Sequence, residues 1–204
     1  MARHAPISLG PTRIDLWVGR FFARQARPSL ETGARLVTCA ADEKLLLAVV
    51  GLTWLGSRLS DAHSLERRRA DHIALTIAVS AALPHVIKRL VRRERPDRVL
   101  VSHPRRGVPR SGKPFDSFPS GHSMHLAAGA AALSRWVSRP WPAAIWLLAS
   151  AIASTRVILV AHWLTDVLAG GVIGLLLERT MHRIALRRVA PDPLPTGTKA
   201  ALRS

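Results

Sequence analysis

The chain is 204 residues long, enough for one domain with a sizeable core; 48% of it is hydrophobic, yet its formal net charge is +17. The charge alone would suit a nucleic-acid binder, but the basic residues form no sustained stripe and no aromatic platform accompanies them, which argues against that class. The single cysteine, Cys39, excludes an intramolecular disulfide. The apolar and basic excesses are reconciled if apolar residues segregate into membrane spans and basic ones into the connections.

Residues 1–40 read as a basic N-terminal segment. Within it Ile14, Trp17, Phe21 and Phe22 are interleaved with Arg13, Arg20, Arg24 and Arg27. That stretch is too short and too charged to span, and it predicts an amphipathic helix lying in the interface, aromatics in the acyl boundary and arginines at the headgroups. It lacks the order of a cleavable signal peptide.

Five spans are predicted near 42–59, 71–88, 121–138, 141–160 and 163–180, inside a membrane-embedded domain of residues 41–182. Their apolar cores at 45–55, 73–87 and 143–153 are shorter than the about 20 residues that cross a ~30 Å hydrocarbon layer. So many apolar helices are nevertheless hard to bury in a soluble domain of this size. The last span carries Gly170, Gly171 and Gly174, whose four-residue separation lets helices approach closely. Residues 183–204 form a basic tail, expected to be disordered where Pro, Gly and Thr dominate. There is no internal repeat.

Residues 88–113 hold ten Lys or Arg against Glu94 and Asp97. Lys88, Arg92 and Arg95 recur at intervals of four and three and so share one face of a continuing helix, which Pro96 ends. Such a cation cluster at the mouth of a span suits an anionic headgroup. Arg89, Arg93, Arg98, Arg105, Arg106 and Arg110 read as solvated or as facing anionic lipid.

Pro119-Ser120-Gly121-His122 precedes an apolar helical stretch at 126–133. A helix N-terminus offers unpaired N–H groups and partial positive charge to a phosphate. Gly121 allows close backbone approach, and Ser120 can serve as N-cap at the same time.

His162 and Asp166 lie four apart, so on a helix their side chains meet. An Asp that accepts from one ring nitrogen fixes the tautomer and raises the nucleophilicity of the other. Ionisable groups within a membrane are costly and commonly functional. On one continuous helix Arg156 and His162 would point about 120° apart, so a shared site requires the chain to bend between them. His122, His125 and His103 raise the question of a metal, which would want carboxylates or thiols beside them. Asp116 is the only obvious carboxylate, so no metal is predicted and His125 reads as a wall residue.

Taken in order, Lys88 with Arg95-Pro96, then Pro119 to His122, then Arg156, His162 and Asp166 resemble the signature of the type 2 phosphatidic acid phosphatase family, over roughly residues 40–180. Thr155 departs from the Ser that usually precedes the Arg, though it keeps a hydroxyl. The resemblance implies an all-α polytopic membrane bundle with no cofactor and no nucleic-acid partner. It further implies metal-independent hydrolysis of a phosphate monoester or diphosphate on a lipid. In that scheme His162 attacks phosphorus, Asp166 orients it, His122 protonates the leaving oxygen, and Lys88, Arg95, Ser120, Gly121 and Arg156 hold the non-bridging oxygens. Phosphatidate, phosphatidylglycerophosphate, polyprenyl diphosphate and lipid A phosphate all fit as substrates.

The alternatives are an inactive or transport-type membrane protein that retains the motif, and a soluble vanadate-dependent haloperoxidase, which the spans disfavour. Positive-inside counting places the turns at 58–69 and 135–139 and the tail in the cytoplasm. The catalytic loop then faces outward from a bacterial inner membrane, and the N-terminus lies outside too unless its helix rests in the interface.

Overall fold

The structure, a computed structural model of the 204-residue chain, describes residues 7–25, 28–39, 42–60, 63–101 and 112–187. His103, Arg105, Arg106, Arg110 and the tail from residue 188 lie outside the described residues.

The chain opens with strand β1 (Ile7–Ser8), followed by helices α1 (Arg13–Gln25) and α2 (Pro28–Cys39). Thr12 and Asp15 form a reciprocal capping box at the start of α1: Thr12 N donates to Asp15 Oδ2 at 3.0 Å, and Asp15 N donates to Thr12 Oγ1 at 3.2 Å. The helix leaves Ile14, Trp17 and Phe21 exposed among its arginines and turns Asp15 and Gly19 inward. A Cβ on Gly19 would lie 2.7 Å from Leu100 Cδ1 and 3.2 Å from the Trp163 ring, so any larger residue would require those side chains to shift.

The bundle follows: α3 (Glu43–Leu59), α4 (Ser64–Leu90), strand β2 (Val91–Arg92), the short α5 (Pro96–Val99), α6 (Gly121–Ser134), α7 (Trp141–Ile158) and α8 (Leu164–Arg187). The predicted spans coincide with α3, α4, α6, α7 and α8. Two of them, α4 and α7, are long and apolar enough by themselves to cross a membrane. Helix α6 has 14 residues, about 21 Å, and falls short of the ~30 Å layer.

Helix α6 is the axis on which α4, α7 and α8 pack. Its buried positions are Ser123, Met124, His125 and a set of alanines, whereas Leu52, Leu75, Leu147, Leu148, Leu168 and Val172 on the surrounding helices are exposed. Small residues inside and large apolar ones outside suit a lipid solvent, in which packing rather than water exclusion holds helices together. The α6–α8 contact depends on glycine. A Cβ on Gly170 would lie 2.5 Å from the Ser120 carbonyl oxygen, and one on Gly174 2.3 Å from that of Met124; Gly171 has nothing within 4 Å.

One expectation fails. Helix α4 stops at Leu90 and Val91 is extended, so Lys88, Arg92 and Arg95 do not share a helical face. Ile7 and Ser8 pair in parallel with Val91 and Arg92, and Leu9 N donates to the Arg92 carbonyl at 3.0 Å. Burial then alternates as in a strand: Val91, Arg93 and Arg95 point in, Arg92 and Glu94 out. Arg92 stacks on the Phe115 ring, 3.8 Å from its centroid. Pro96 begins α5 at a first-turn position that needs no N–H donor.

Candidate active site

The strand-like run delivers Arg95 into the bundle, where its guanidinium is almost fully used. Nε donates to the Lys113 carbonyl at 3.0 Å and Nη2 to that of Asp116 at 3.1 Å. Nη1 reaches the Ala161 carbonyl at 2.9 Å and His162 Nε2 at 3.2 Å. A guanidinium can only donate, so Nε2 is the acceptor and the ring proton sits on Nδ1. Nδ1 lies 2.7 Å from the Ser117 carbonyl and donates to it. The unprotonated nitrogen of a fixed imidazole is therefore held against a buried cation.

The carboxylate does not hold the ring in the way the i, i+4 spacing suggested. His162 precedes α8, and its Nδ1 is 3.8 Å from Asp166 Oδ2, too far for a hydrogen bond. Asp166 Oδ2 instead accepts from Ser117 Oγ at 2.5 Å and from Trp163 N at 2.9 Å. Asp166 thus fixes the Ser117 segment, whose carbonyl fixes His162, while its charge stays within 4 Å of the ring. Burial pushes the His162 pKa down to about 3; Asp166 opposes that shift and the guanidinium groups of Arg95 and Arg156 reinforce it, so the ring is neutral.

The bend that Arg156 and His162 require is a Schellman turn. Ala161 N donates to the Arg156 carbonyl at 3.0 Å and Val160 N to that of Val157 at 2.9 Å, closing α7. Val160, at φ 54°, occupies the left-handed position where glycine is usual, at a cost of roughly 1–2 kcal/mol for an L-residue. Thr155 faces away from the site: its hydroxyl donates to the Ile152 carbonyl at 2.6 Å and lies 2.6 Å from Thr38 Oγ1 on α2.

Ser120 caps α6 and is fully buried. Its N–H donates to the Asp166 carbonyl at 3.1 Å, tying the start of α6 to the start of α8, and its Oγ accepts from Ser123 Oγ at 3.0 Å. Among the described residues the amides of Gly121 and His122 have no partner, as expected of a first helical turn open to an anion. A Cβ on Gly121 would meet Pro84 at an ordinary 3.7 Å, so packing alone does not demand glycine there. Lys88, His122 and Arg156 are half-buried around this turn. Lys88 feels the charges of Arg95 and Arg156, and His122 those of Arg156 and Lys88. Arg156 Nε is buried with no hydrogen-bond partner among the described residues.

The structure adds residues the motifs did not mark. Ser117 bridges His162 and Asp166. Arg93, read from sequence as solvated, is 3% exposed and bonds Asp166 Oδ1 at 2.5 Å and Asp15 Oδ2 at 2.6 Å. Asp15 carries a legible signal, being the only acidic residue in the first 30 of a basic segment.

Two histidine groups bear on metal binding. His125 is buried, with Nδ1 3.2 Å from Ser80 Oγ and Nε2 3.7 Å from Glu43 Oε2, as a wall residue would be. Among the described residues His72, Glu178 and His182 bring ligand-type atoms within 4.8 Å of one another, about 24 Å along α4 from Lys88. Trp136 Nε1 donates to His72 Nδ1 at 3.4 Å, so the proton sits on Nε2, facing Glu178 Oε1 at 3.3 Å. Arg135 grips both oxygens of Glu178, at 2.5 and 3.0 Å. With its carboxylate already spanned by a guanidinium, and His72 Nε2 without a hydrogen-bond partner among the described residues, this cluster is a polar tie between helices.

An integral membrane phosphatase is the class that this fold and site define. The chain belongs to the PAP2 superfamily, whose profile matches residues 71–190. The decaprenylphosphoryl-5-phosphoribose phosphatase of Mycolicibacterium smegmatis is 32% identical over 152 residues, covering 72% of this chain and 75% of that one. Its namesake in Mycobacterium tuberculosis is 34% identical over 123 residues, 59% of this chain and 65% of that protein. The lipid A 1-phosphatase of Rhizobium johnstonii is 35% identical over 138 residues, with 63% and 54% coverage. The fold is shared with the crystal structure of Aquifex aeolicus LpxE, at TM-score 0.68 and 18% identity over 84% of this chain and 96% of that one. It is shared also with the transmembrane PAP2 type phosphatidylglycerolphosphate phosphatase of Bacillus subtilis, at TM-score 0.60 and 21% identity over 87% of each.

Proposed function

We propose that the enzyme removes phosphate from a lipid phosphate through a phosphohistidine at His162, without a metal ion. The observation that carries this reading is the 3.2 Å hydrogen bond from Arg95 Nη1 to His162 Nε2, which holds an unprotonated ring nitrogen against a buried cation. A phosphoryl group that takes the Nη1 donor from Nε2, held there by Arg95, Lys88, Arg156 and the amides of Gly121 and His122, would meet the lone pair so released. Nε2 bonds to phosphorus as the bond to the lipid oxygen breaks, and His122 gives that oxygen a proton. Positive charge develops on the His162 ring opposite the Asp166 carboxylate. Water then displaces the histidine, with His122 taking its proton back from that water.

A lipid substrate fits the surroundings. Ser123, the residue after His122 on α6, lines a mainly apolar cavity of about 660 Å³ with Phe22, Leu126, Trp146, Leu168 and Leu175, room for a hydrocarbon chain. The named relatives act on a polyprenyl-linked and a lipid A-linked phosphate. The direct test is phosphate release by purified protein from a panel holding both kinds, with phosphatidate and phosphatidylglycerophosphate. No release from any of them would sink the proposal.

Two further results are expected. Turnover should be retained in excess chelator and blocked by vanadate, whose five-coordinate form resembles phosphorus in transfer. Loss in chelator reversed by a divalent ion would overturn the metal-free scheme. We also propose that the site faces outward from the bacterial inner membrane, on the positive-inside rule. Lys113→Cys in a Cys39→Ser background should then be labelled by an impermeant reagent in spheroplasts, and labelling only after permeabilisation would reverse the orientation.

A further inference from the structure

We propose that Asp15 and Arg93 are positioning residues for the His162–Asp166 pair, so that the N-terminal helix α1 is part of the catalytic apparatus. The inference rests on the reading of His162 as nucleophile. Arg93 lies between two carboxylates: Nη1 donates to Asp166 Oδ1 at 2.5 Å and Nη2 to Asp15 Oδ2 at 2.6 Å. All three side chains are sealed from solvent, Arg93 at 3% exposure and both aspartates at 0%. Thr165 Oγ1 closes the arrangement, accepting from Arg93 Nη1 and donating to Asp15 Oδ2, both at 2.8 Å, while Thr165 N donates to Asp15 Oδ1 at 2.9 Å.

The charge count explains why a second carboxylate is useful. Arg93 alone would neutralise Asp166 and leave nothing to support positive charge on His162. With Asp15 present the group keeps a net negative charge, and Asp166 Oδ2 carries part of it to within 3.8 Å of His162 Nδ1. Asp15 is itself anchored by the Thr12 amide and hydroxyl at 3.0 and 2.9 Å, so its place depends on where α1 begins. Helix α1 leaves Trp17 and Phe21 exposed beside its arginines. The seat of α1 on the lipid surface is therefore connected to the Asp166 carboxylate through the buried Arg93 guanidinium and through Thr165.

The test is single-turnover formation of acid-labile phosphoenzyme by full-length Asp15→Asn, with a labelled lipid phosphate and enzyme in excess. A positioning role predicts a rate constant about tenfold lower or more, with wild-type amplitude and unchanged KM in the steady state. A nitrophenyl phosphate should be slowed equally, since the defect lies in the nucleophile and not in the leaving group. A rate within twofold of wild type, or a loss of amplitude alone, overturns the proposal. If Asp15→Asn does not accumulate as folded protein, Thr165→Val removes the hydroxyl shared by Arg93 and Asp15 and is judged by the same two readings. Failure of the wild type itself to form phosphohistidine overturns the nucleophile assignment instead, a result read without any variant.

Discussion

His162→Ala is expected to abolish turnover, by roughly 10⁴-fold or more, together with any acid-labile phosphoenzyme, because among the described residues no other imidazole nitrogen is held beside Arg95. His122→Ala should instead slow formation of the intermediate chiefly where the leaving alkoxide is basic, since the proton it donates matters most there. A nitrophenyl phosphate should therefore partly rescue His122→Ala and leave His162→Ala dead. Asp166→Asn should fall between the two. An amide can still accept from Ser117 Oγ or Trp163 N and so retain much of the scaffold, but it loses the charge 3.8 Å from Nδ1. Steady-state kinetics on both substrates, with acid-quenched phosphopeptide mapping, separates these outcomes. A phosphohistidine mapped to position 122, or rescue of His162→Ala by the activated substrate, would reverse the roles.

Gly174→Leu should be nearly as damaging, for a reason unconnected with chemistry. The first added carbon would meet the Met124 carbonyl oxygen at 2.3 Å, and backbone cannot move aside as a flexible side chain can. Forcing α8 from α6 should cost about 3 kcal/mol or more and abolish activity, because the Ser120 N–H bond to the Asp166 carbonyl spans the same interface. Gly171→Leu, three residues away and open to 4 Å, serves as the matched control for packing and should melt like wild type. Thermal melting in detergent followed by size exclusion measures both variants. Equal melting temperatures for Gly174→Leu and Gly171→Leu would show that the helices are not in contact.

Much of this was legible in the sequence because the information is local. Apolar runs bounded by basic turns mark α3, α4, α6, α7 and α8. The spacing of Gly170 and Gly174 marks the close helix pair, and the alternation of aromatic and basic residues marks α1 as a surface helix. Lys88, Arg95, Ser120, Arg156, His162 and Asp166 stood out as candidates because their order and spacing resemble the family signature.

Local pattern could not supply the rest. Residues 91–95 read Val-Arg-Arg-Glu-Arg, compatible with a helix of period 3.6 or a strand of period 2. The choice fell to a pairing partner, Ile7–Ser8, far away along the chain. That pairing turned Arg92 out onto Phe115 and Arg93 in toward Asp15 and Asp166, reversing the roles their spacing suggested. Val160 gives no glycine-like signal for the left-handed turn that brings Arg156 and His162 to one site; the packing that buries its side chain holds it there. The His162 tautomer was likewise set by the Ser117 carbonyl, a backbone atom identical in every residue type and so invisible to any reading of side chains. The sequence by itself determined which groups this phosphatase has for its chemistry. The tertiary structure decided which nitrogen, which arginine and which carboxylate face one another, because those contacts join segments whose order along the chain says nothing about their distance in space.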